Sequence, residues 1–159
     1  MQAVGITSEL TIPSRSLTAK SSRNGFEPDK GRLHGDGAWS PSNNNNPNDY
    51  LELDLQYEFF ICAVATQGHP SSNFWTTKYK LLFSVNGIDW STYKVNGKDK
   101  IFNGNSGKEE VVKHSLVSFT RARFLRFQPT EFKNWKALRV EIYGVPVPAG
   151  RISRKLIFY

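Results

Sequence analysis

Residues 79–90 of the chain read YKLLFSVNGIDW, and this stretch decides the fold class. Apolar side chains recur at every second position over residues 79–85, with mostly polar side chains between them. This period of two is typical of a β-strand with one face on a hydrophobic core. Asn86-Gly87 follows at once, and both residues tolerate the positive φ angles of a hairpin turn. The stretch predicts a strand, a turn and a return strand over residues 90–95.

The same alternation appears on both sides of this hairpin, in residues 50–55 and residues 138–143. Residues 58–67 are apolar almost throughout, which predicts a central strand buried on both faces with Cys62 as a small buried side chain. No segment shows sustained helical periodicity. Short strands separated by turns such as Asn96-Gly97 predict an all-β, antiparallel sandwich or barrel.

The composition is that of one globular domain. The chain has 159 residues, of which 38% are hydrophobic, and no apolar run reaches the roughly 18 residues that span a bilayer. The single cysteine excludes an internal disulfide framework and a cysteine-rich zinc site. Because Pro146 and Pro148 break the strand pattern, we expect one domain over residues 1–145. Residues 146–159 are then expected to form a basic C-terminal tail or linker, whose basic residues are Arg151, Arg154 and Lys155.

The net charge of +7 points to anionic partners such as nucleic acid, acidic lipid headgroups or sulfated glycans. The basic residues are dispersed, however, and the densest tract alternates with apolar residues over 121–126. This tract predicts a strand with a solvated face. Since no Lys/Arg-rich run or nucleic-acid motif accompanies the charge, nucleic acid is not predicted as a partner.

No catalytic signature is present. The three histidines are His34, His69 and His114, and the sequence contains no Gly-x-Ser-x-Gly, no phosphate-binding Gly-x-x-x-x-Gly-Lys-Ser/Thr and no His-Glu-x-x-His motif. We therefore expect that the chain is not an enzyme.

Short motifs follow one another along the chain in a specific order. They are residues 17–19 (LTA), 21–22 (SS), 31–33 (GRL), 35–41 (GDGAWSP), 50–55 (YLELDL), 65–68 (ATQG), 79–80 (YK), 84–90 (SVNGIDW), 102–105 (FNGN), 121–129 (RARFLRFQP) and 137–144 (ALRVEIYG). Together, over residues 3–144, they resemble the discoidin domain, also called the coagulation factor V/VIII type C domain.

The resemblance implies an eight-stranded antiparallel jelly-roll sandwich or barrel of the galactose-binding-domain-like type, with ligand loops at one end. Members are extracellular or cell-surface modules of larger proteins, are not catalytic, and bind phosphatidylserine membranes, collagen, growth factors or sugars. Many members join their ends by a disulfide. Here the corresponding positions are Ala3 or Val4 and Val145, so that bridge is absent.

The primary expectation is an adhesion or recognition module that binds glycans or glycoproteins. Sugar-binding members carry an aspartate, an arginine and a tryptophan at positions that resemble Asp36, His69 and Trp75. The Trp75 ring would pack on the C–H face of a sugar, while Asp36, His69 and Asn73 would bond its hydroxyl groups. Phe74 lies in the same loop. The alternative is that Trp75 packs in the core beneath the loop.

Two other partner classes stay open. Anionic phospholipid membranes would meet the basic side chains of Arg23 and Arg32, with Phe26 and Phe74 as the apolar residues near the loop tips. The third hypothesis is a protein–protein interaction with a matrix component or receptor.

A structural calcium ion is the only cofactor considered. Some sugar-binding relatives hold one, and the matching residues are Asp29 and Glu141. For Glu141 we favour the alternative, an ion pair with a basic neighbour. Trp39, Trp90 and Leu53 are expected in the core, and Trp135 either packs there or joins the binding rim.

Overall fold

The computed structural model describes residues 1–150 of the chain. Its strands are β1 (Gln2–Ala3), β2 (Leu17–Ala19), β3 (Leu51–Gln67), β4 (Trp75–Ser84), β5 (Ser91–Thr92), β6 (Lys94–Val95), β7 (Lys98–Asp99), β8 (Phe102–Asn103), β9 (Val112–Lys133) and β10 (Arg139–Pro146). Within the described part, the helical elements are two 3-10 turns, Ser14–Ser16 and Pro28–Lys30. The all-β prediction is confirmed.

Eight of the strands form one antiparallel sheet in the order β1-β10-β3-β9-β4-β5, with β2 paired to β3 and β8 paired to β4. Strand β3 lies between β10 and β9 along its second half, where Ile61 to Gln67 are all buried. This confirms the buried central strand for residues 61–67 of the predicted 58–67, whereas residues 58–60 are half-buried or exposed. Cys62 is a buried free thiol.

The two longest strands bend and return to the same end of the domain. Thr66 pairs with Val112 at the start of β9, whereas Trp75 pairs with Lys133 at its end. The register of β3 and β9 is interrupted between Asp54 and Phe59, as expected where long strands bend around a core. We call the end that carries residues 68–74 the loop end and the end that carries residues 54–59 the bend end.

The core contains Trp39 and Leu53, as predicted, and the indole N–H of Trp39 donates to the carbonyl oxygen of Ser21 at 3.0 Å. Trp90 was expected there and is instead half-buried on the outer surface, where the Arg126 guanidinium lies 3.8 Å from its ring. The hairpin prediction is confirmed because residues on both sides of Asn86-Gly87 pair, Phe83 with Ser91.

The predicted return strand over residues 90–95 is divided into β5 and β6. Lys94 pairs with Asp99 in a separate hairpin, and the turn residues Asn96 and Gly97 have φ angles of 53° and 76°. This local pairing removes β6 from the main sheet.

Backbone pairing joins the two chain ends that relatives close with a disulfide. Ala3 pairs with Tyr143, and β10 continues to Pro146, after which the amide of Val147 donates to the carbonyl oxygen of Glu58. The predicted basic residues Arg151, Arg154 and Lys155 lie outside the described residues. Within residues 1–150, no helix is long and apolar enough to cross a bilayer.

Candidate ligand-binding loops

Arg139 fixes three loops at the loop end. The residue is 1% exposed, and its guanidinium donates to the carbonyl oxygens of Gly68 at 2.7 Å, Gly35 at 2.7 Å and Lys108 at 3.0 Å. A carboxylate oxygen of Glu109 lies 3.6 Å from Nη2. Because the five N–H donors of a guanidinium form a rigid fork, one side chain can satisfy several carbonyl groups at once. The loops therefore stand on a common buried support.

His69 closes the loop that follows β3. Its backbone N–H donates to the carbonyl oxygen of Phe74 at 2.9 Å, and its Nδ1 accepts the backbone N–H of Ser71 at 3.2 Å and of Ser72 at 2.9 Å. A nitrogen that accepts two N–H groups carries no proton. The ring is therefore the neutral tautomer with its proton on Nε2.

The surroundings of His69 also favour the neutral ring. Partial burial lowers the pKa of His69, and the positive charge of Arg139 lowers it further. The loop geometry corresponds to the neutral form at pH 7.

Phe26, His69 and Phe74 form an aromatic cluster at the loop end. The ring centroids are 5.3 Å apart for Phe26 and His69, 6.2 Å apart for His69 and Phe74, and 6.5 Å apart for Phe26 and Phe74. All three side chains are half-buried. The structure therefore joins residues that were predicted from two different loops.

Arg23 extends this cluster towards a fourth loop. Its guanidinium carbon lies 5.0 Å from the ring centroid of Phe26 and 4.6 Å from that of Trp135. The backbone N–H of Arg23 donates to the carbonyl oxygen of Ser40 at 2.9 Å. The indole N–H of Trp135 donates to the carbonyl oxygen of Pro41 at 3.2 Å. Trp135 thus takes the rim position rather than a place in the core.

Three other predicted residues lie in the segments at this end of the domain. Asp36 is exposed and follows Gly35, which Arg139 holds. Asn73 is exposed, and its carbonyl oxygen accepts a hydrogen bond from the Asn134 side chain at 2.6 Å. Trp75 is half-buried at the start of β4. Phe74, rather than Trp75, is the ring that joins Phe26 and His69.

Arg32 does not belong to this cluster. Its guanidinium donates to the carbonyl oxygens of Ile6 at 2.7 Å and Ile12 at 2.8 Å, so it anchors the N-terminal segment. This position corrects the expectation that Arg32 serves the ligand loops.

The two residues considered for calcium have separate roles. The buried carboxylate of Glu141 accepts backbone N–H groups from Gly5, Ile6, Thr7 and Ile142 at 2.9–3.3 Å. Asp29 is exposed in the Pro28–Lys30 turn. Within residues 1–150, no group of three or more His, Cys, Asp or Glu side chains is placed to hold a metal ion. Within the described residues, the hydrogen-bond partners of Glu141 are therefore backbone amides and not the basic neighbour that was expected.

Sequence reasoning missed Arg139 and Asn134. The alternation of residues 138–143 placed Arg139 on a solvated face, and no sequence signal shows that this end of the strand lies beneath three loops. Asn134 has a φ angle of 60°, a left-handed conformation that asparagine tolerates, and this turn brings its side chain to Asn73. The sequence signal for this turn is Asn134 before Trp135, because asparagine tolerates a left-handed conformation.

The chain belongs to the F5/8 type C domain family, whose model matches residues 16–142. It is 34% identical over 152 residues to human neuropilin-2, a match that covers 91% of this chain and 16% of neuropilin-2. The chain thus corresponds to about one sixth of that relative.

Solved structures with the same fold include discoidin II of Dictyostelium discoideum, with a TM-score of 0.75, 22% identity and coverage of 86% of this chain and 57% of that one. The family 32 carbohydrate-binding module of Clostridium perfringens NanJ has a TM-score of 0.63 and 14% identity, and the match covers 82% of this chain and 96% of the module. The chain is a binding module of the discoidin type.

Proposed function

We propose that this domain is a non-catalytic, extracellular recognition module that binds glycans through its loop end, as part of a larger protein. The observation that carries the proposal is the aromatic cluster of Phe26, His69 and Phe74, in loops that also carry the exposed polar side chains of Asp36 and Asn73. Sugars present an apolar C–H face and a rim of hydroxyl groups. Half-buried rings beside carboxylate and amide groups match both features.

The rigidity of the loops also supports glycan binding. A loop that is already ordered loses little conformational entropy when a ligand binds. Arg139 fixes the bases of the loops, and His69 closes the loop over residues 69–74 with its own backbone contacts. A preformed site of this kind suits a small, polar ligand such as a sugar.

One structural relative is a reason to test sugars first. The NanJ module was solved in complex with galactose. At 14% identity, this match shows that the fold is shared. Binding of galactose or another sugar has to be tested for this chain.

The proposed function is non-catalytic, and the settings of the three histidines support this. His69 uses Nδ1 for backbone amides, and His114 places Nε2 at 2.5 Å from the carbonyl oxygen of Asn103. His34 is exposed with a φ angle of 63° in a loop.

A glycan array followed by calorimetric titration of the best ligand tests the proposal. Phe26→Ala and Phe74→Ala should each weaken binding at least about tenfold, because each removes a ring from the cluster. Phe119→Ala is the matched control, since Phe119 is 69% exposed in the bend-end part of β9. Its affinity should equal that of the unaltered domain. Unchanged binding by both loop-end variants would reject the site.

A protein or anionic lipid partner is the second candidate, and its support lies at the bend end. Exposed apolar side chains gather there on β3, β9 and β10, and they are Tyr57, Phe60, Val117, Phe119 and Val145. Phe60 pairs with both Arg121 and Val145, so part of this surface is continuous. Sedimentation with phosphatidylserine vesicles that Phe119→Ala abolishes, without any glycan binding, would favour this candidate.

A further inference from the structure

We infer that Arg23 binds a carboxylate group of the ligand, so that the loop end recognises an acidic sugar, such as a hexuronic acid, in preference to a neutral one. This inference rests on the proposed glycan-binding function and assigns the class of sugar. It follows from the partners of the other arginines within residues 1–150 and from the aromatic contacts of Arg23.

The arginines of β9 and β10 already have partners. Arg121, Arg123 and Arg126 pair with carboxylates on β3, at 2.8 Å for the last two. Arg139 is bound to three carbonyl groups, as described above. Among residues 1–150, no carboxylate forms an ion pair with Arg23.

Two aromatic rings lie against the Arg23 guanidinium. Its carbon lies 5.0 Å from the Phe26 ring and 4.6 Å from the Trp135 ring. Cation–π contacts act through the face of a guanidinium, while its N–H donors lie in its plane. A planar carboxylate accepts two parallel hydrogen bonds from such a fork. Arg23 is therefore ordered in advance for a carboxylate.

The position of Arg23 couples this charge to the aromatic cluster. Phe26 contacts Arg23 and also lies 5.3 Å from His69 and 6.5 Å from Phe74. A single sugar ring on the cluster would thus bring a carboxylate at its edge within reach of the guanidinium. Lys30, another cation of this loop, is paired with Glu27 at 3.3 Å.

The test compares two ligands that differ only in charge. An oligogalacturonate and its methyl ester are titrated against the full chain, against Arg23→Gln and against Arg23→Lys. The unaltered domain should prefer the free acid. Arg23→Gln should weaken binding of the acid about ten- to a hundredfold and change binding of the ester by less than about threefold. Arg23→Lys keeps the charge but loses the fork, so its affinity for the acid should lie between the other two.

Arg15→Gln is the matched control because it removes the same charge from an exposed position near the bend end. It should leave both affinities unchanged. An equal loss in Arg15→Gln would mean that net charge alone attracts the acid, and an equal loss for acid and ester in Arg23→Gln would mean that Arg23 only supports the rings. Either result overturns the inference.

Two further outcomes separate this inference from the proposed function. If the ester binds through Phe26 and Phe74 as well as the acid does, the inference fails and glycan binding stands. If neither ligand nor any arrayed glycan binds, while phosphatidylserine vesicles bind in an Arg23-dependent way, the proposed function fails together with the acidic sugar. Thermal unfolding of each variant checks that the fold is intact.

Discussion

Ser72 donates its backbone N–H to Nδ1 of His69 at 2.9 Å, and the same nitrogen accepts the N–H of Ser71 at 3.2 Å. Protonation of Nδ1 would replace this acceptor with a donor, so the loop closure requires the neutral ring. Burial, followed by the positive charge of Arg139, lowers the pKa of His69 and so favours the neutral ring independently. Loop geometry and proton binding are therefore linked at this residue.

The domain should lose stability as the pH falls below about 6.5, the ordinary pKa of histidine. The unfolded chain binds a proton at His69 before the folded chain does. The contribution of His69 to the free energy of unfolding is therefore complete above pH 6.5, decreases as the pH falls towards the lowered folded-state pKa, and is constant below it. Urea unfolding at a series of pH values measures this contribution.

His69→Asn should remove this pH dependence, because the Asn side-chain oxygen accepts the same N–H groups but does not titrate. His34→Asn is the matched control, since asparagine tolerates the positive φ angle of this exposed position. A pH dependence that persists in His69→Asn would show that another group is responsible.

Gly68→Ala should destabilise the domain by about 1–3 kcal/mol. A Cβ atom at Gly68 would lie 2.8 Å from Cβ of Trp75, 2.9 Å from the carbonyl oxygen of Phe74 and 3.0 Å from that of Gly107. Two of these neighbours are backbone atoms, which cannot rotate away. Gly107→Ala is the control, because a Cβ there meets nothing within 4 Å and should change the free energy of unfolding by less than about 0.5 kcal/mol. Equal stabilities in denaturant would contradict the prediction.

The strands and turns could be predicted because each is encoded by residues that are close together in the sequence. Alternation in residues 50–55, 79–85 and 138–143 reports burial on one face, and Asn-Gly pairs report turns with positive φ. The division of residues 90–95 could not be foreseen, because it depends on whether Lys94 pairs with Asp99 or with the main sheet.

The site was predictable only as a pair of loops. The sequence indicated His69, Phe74 and Phe26, but not that Phe74 faces the other two rings while Trp75 lies apart from them. That distinction depends on where β4 begins, and a shift of one residue would exchange the two side chains. Arg139 escaped prediction because its role depends on three loops that are distant in sequence.

Arg139→Lys should destabilise the domain by about 2–4 kcal/mol and weaken ligand binding. A lysine ammonium is a single point, so it cannot reach the carbonyl groups of Gly35, Gly68 and Lys108 together. The carbonyl groups left without a partner would be partly buried. Denaturant unfolding and glycan titration measure the two effects.

Arg123→Lys is the comparison for this substitution. Arg123 pairs with Asp54 on the outer surface at 2.8 Å and is 40% exposed, so its replacement should cost no more than about 1 kcal/mol. If both variants lose the same stability, the buried position of Arg139 has no special importance and the common support of the loops is not established.

Glu141→Gln should destabilise the domain by about 2–3 kcal/mol, because the carboxylate accepts four backbone N–H groups and hydrogen bonds to a charged group are the stronger kind. The glutamine amide has one oxygen, and its NH2 group would face N–H donors. Glu131→Gln is the control, since Glu131 is 61% exposed and pairs with Lys78 at 3.5 Å. Thermal unfolding with millimolar calcium and with a chelator completes the test. We expect the same Tm in both, because backbone amides occupy Glu141, and a calcium-dependent Tm that Glu141→Gln abolishes would return this residue to a metal site.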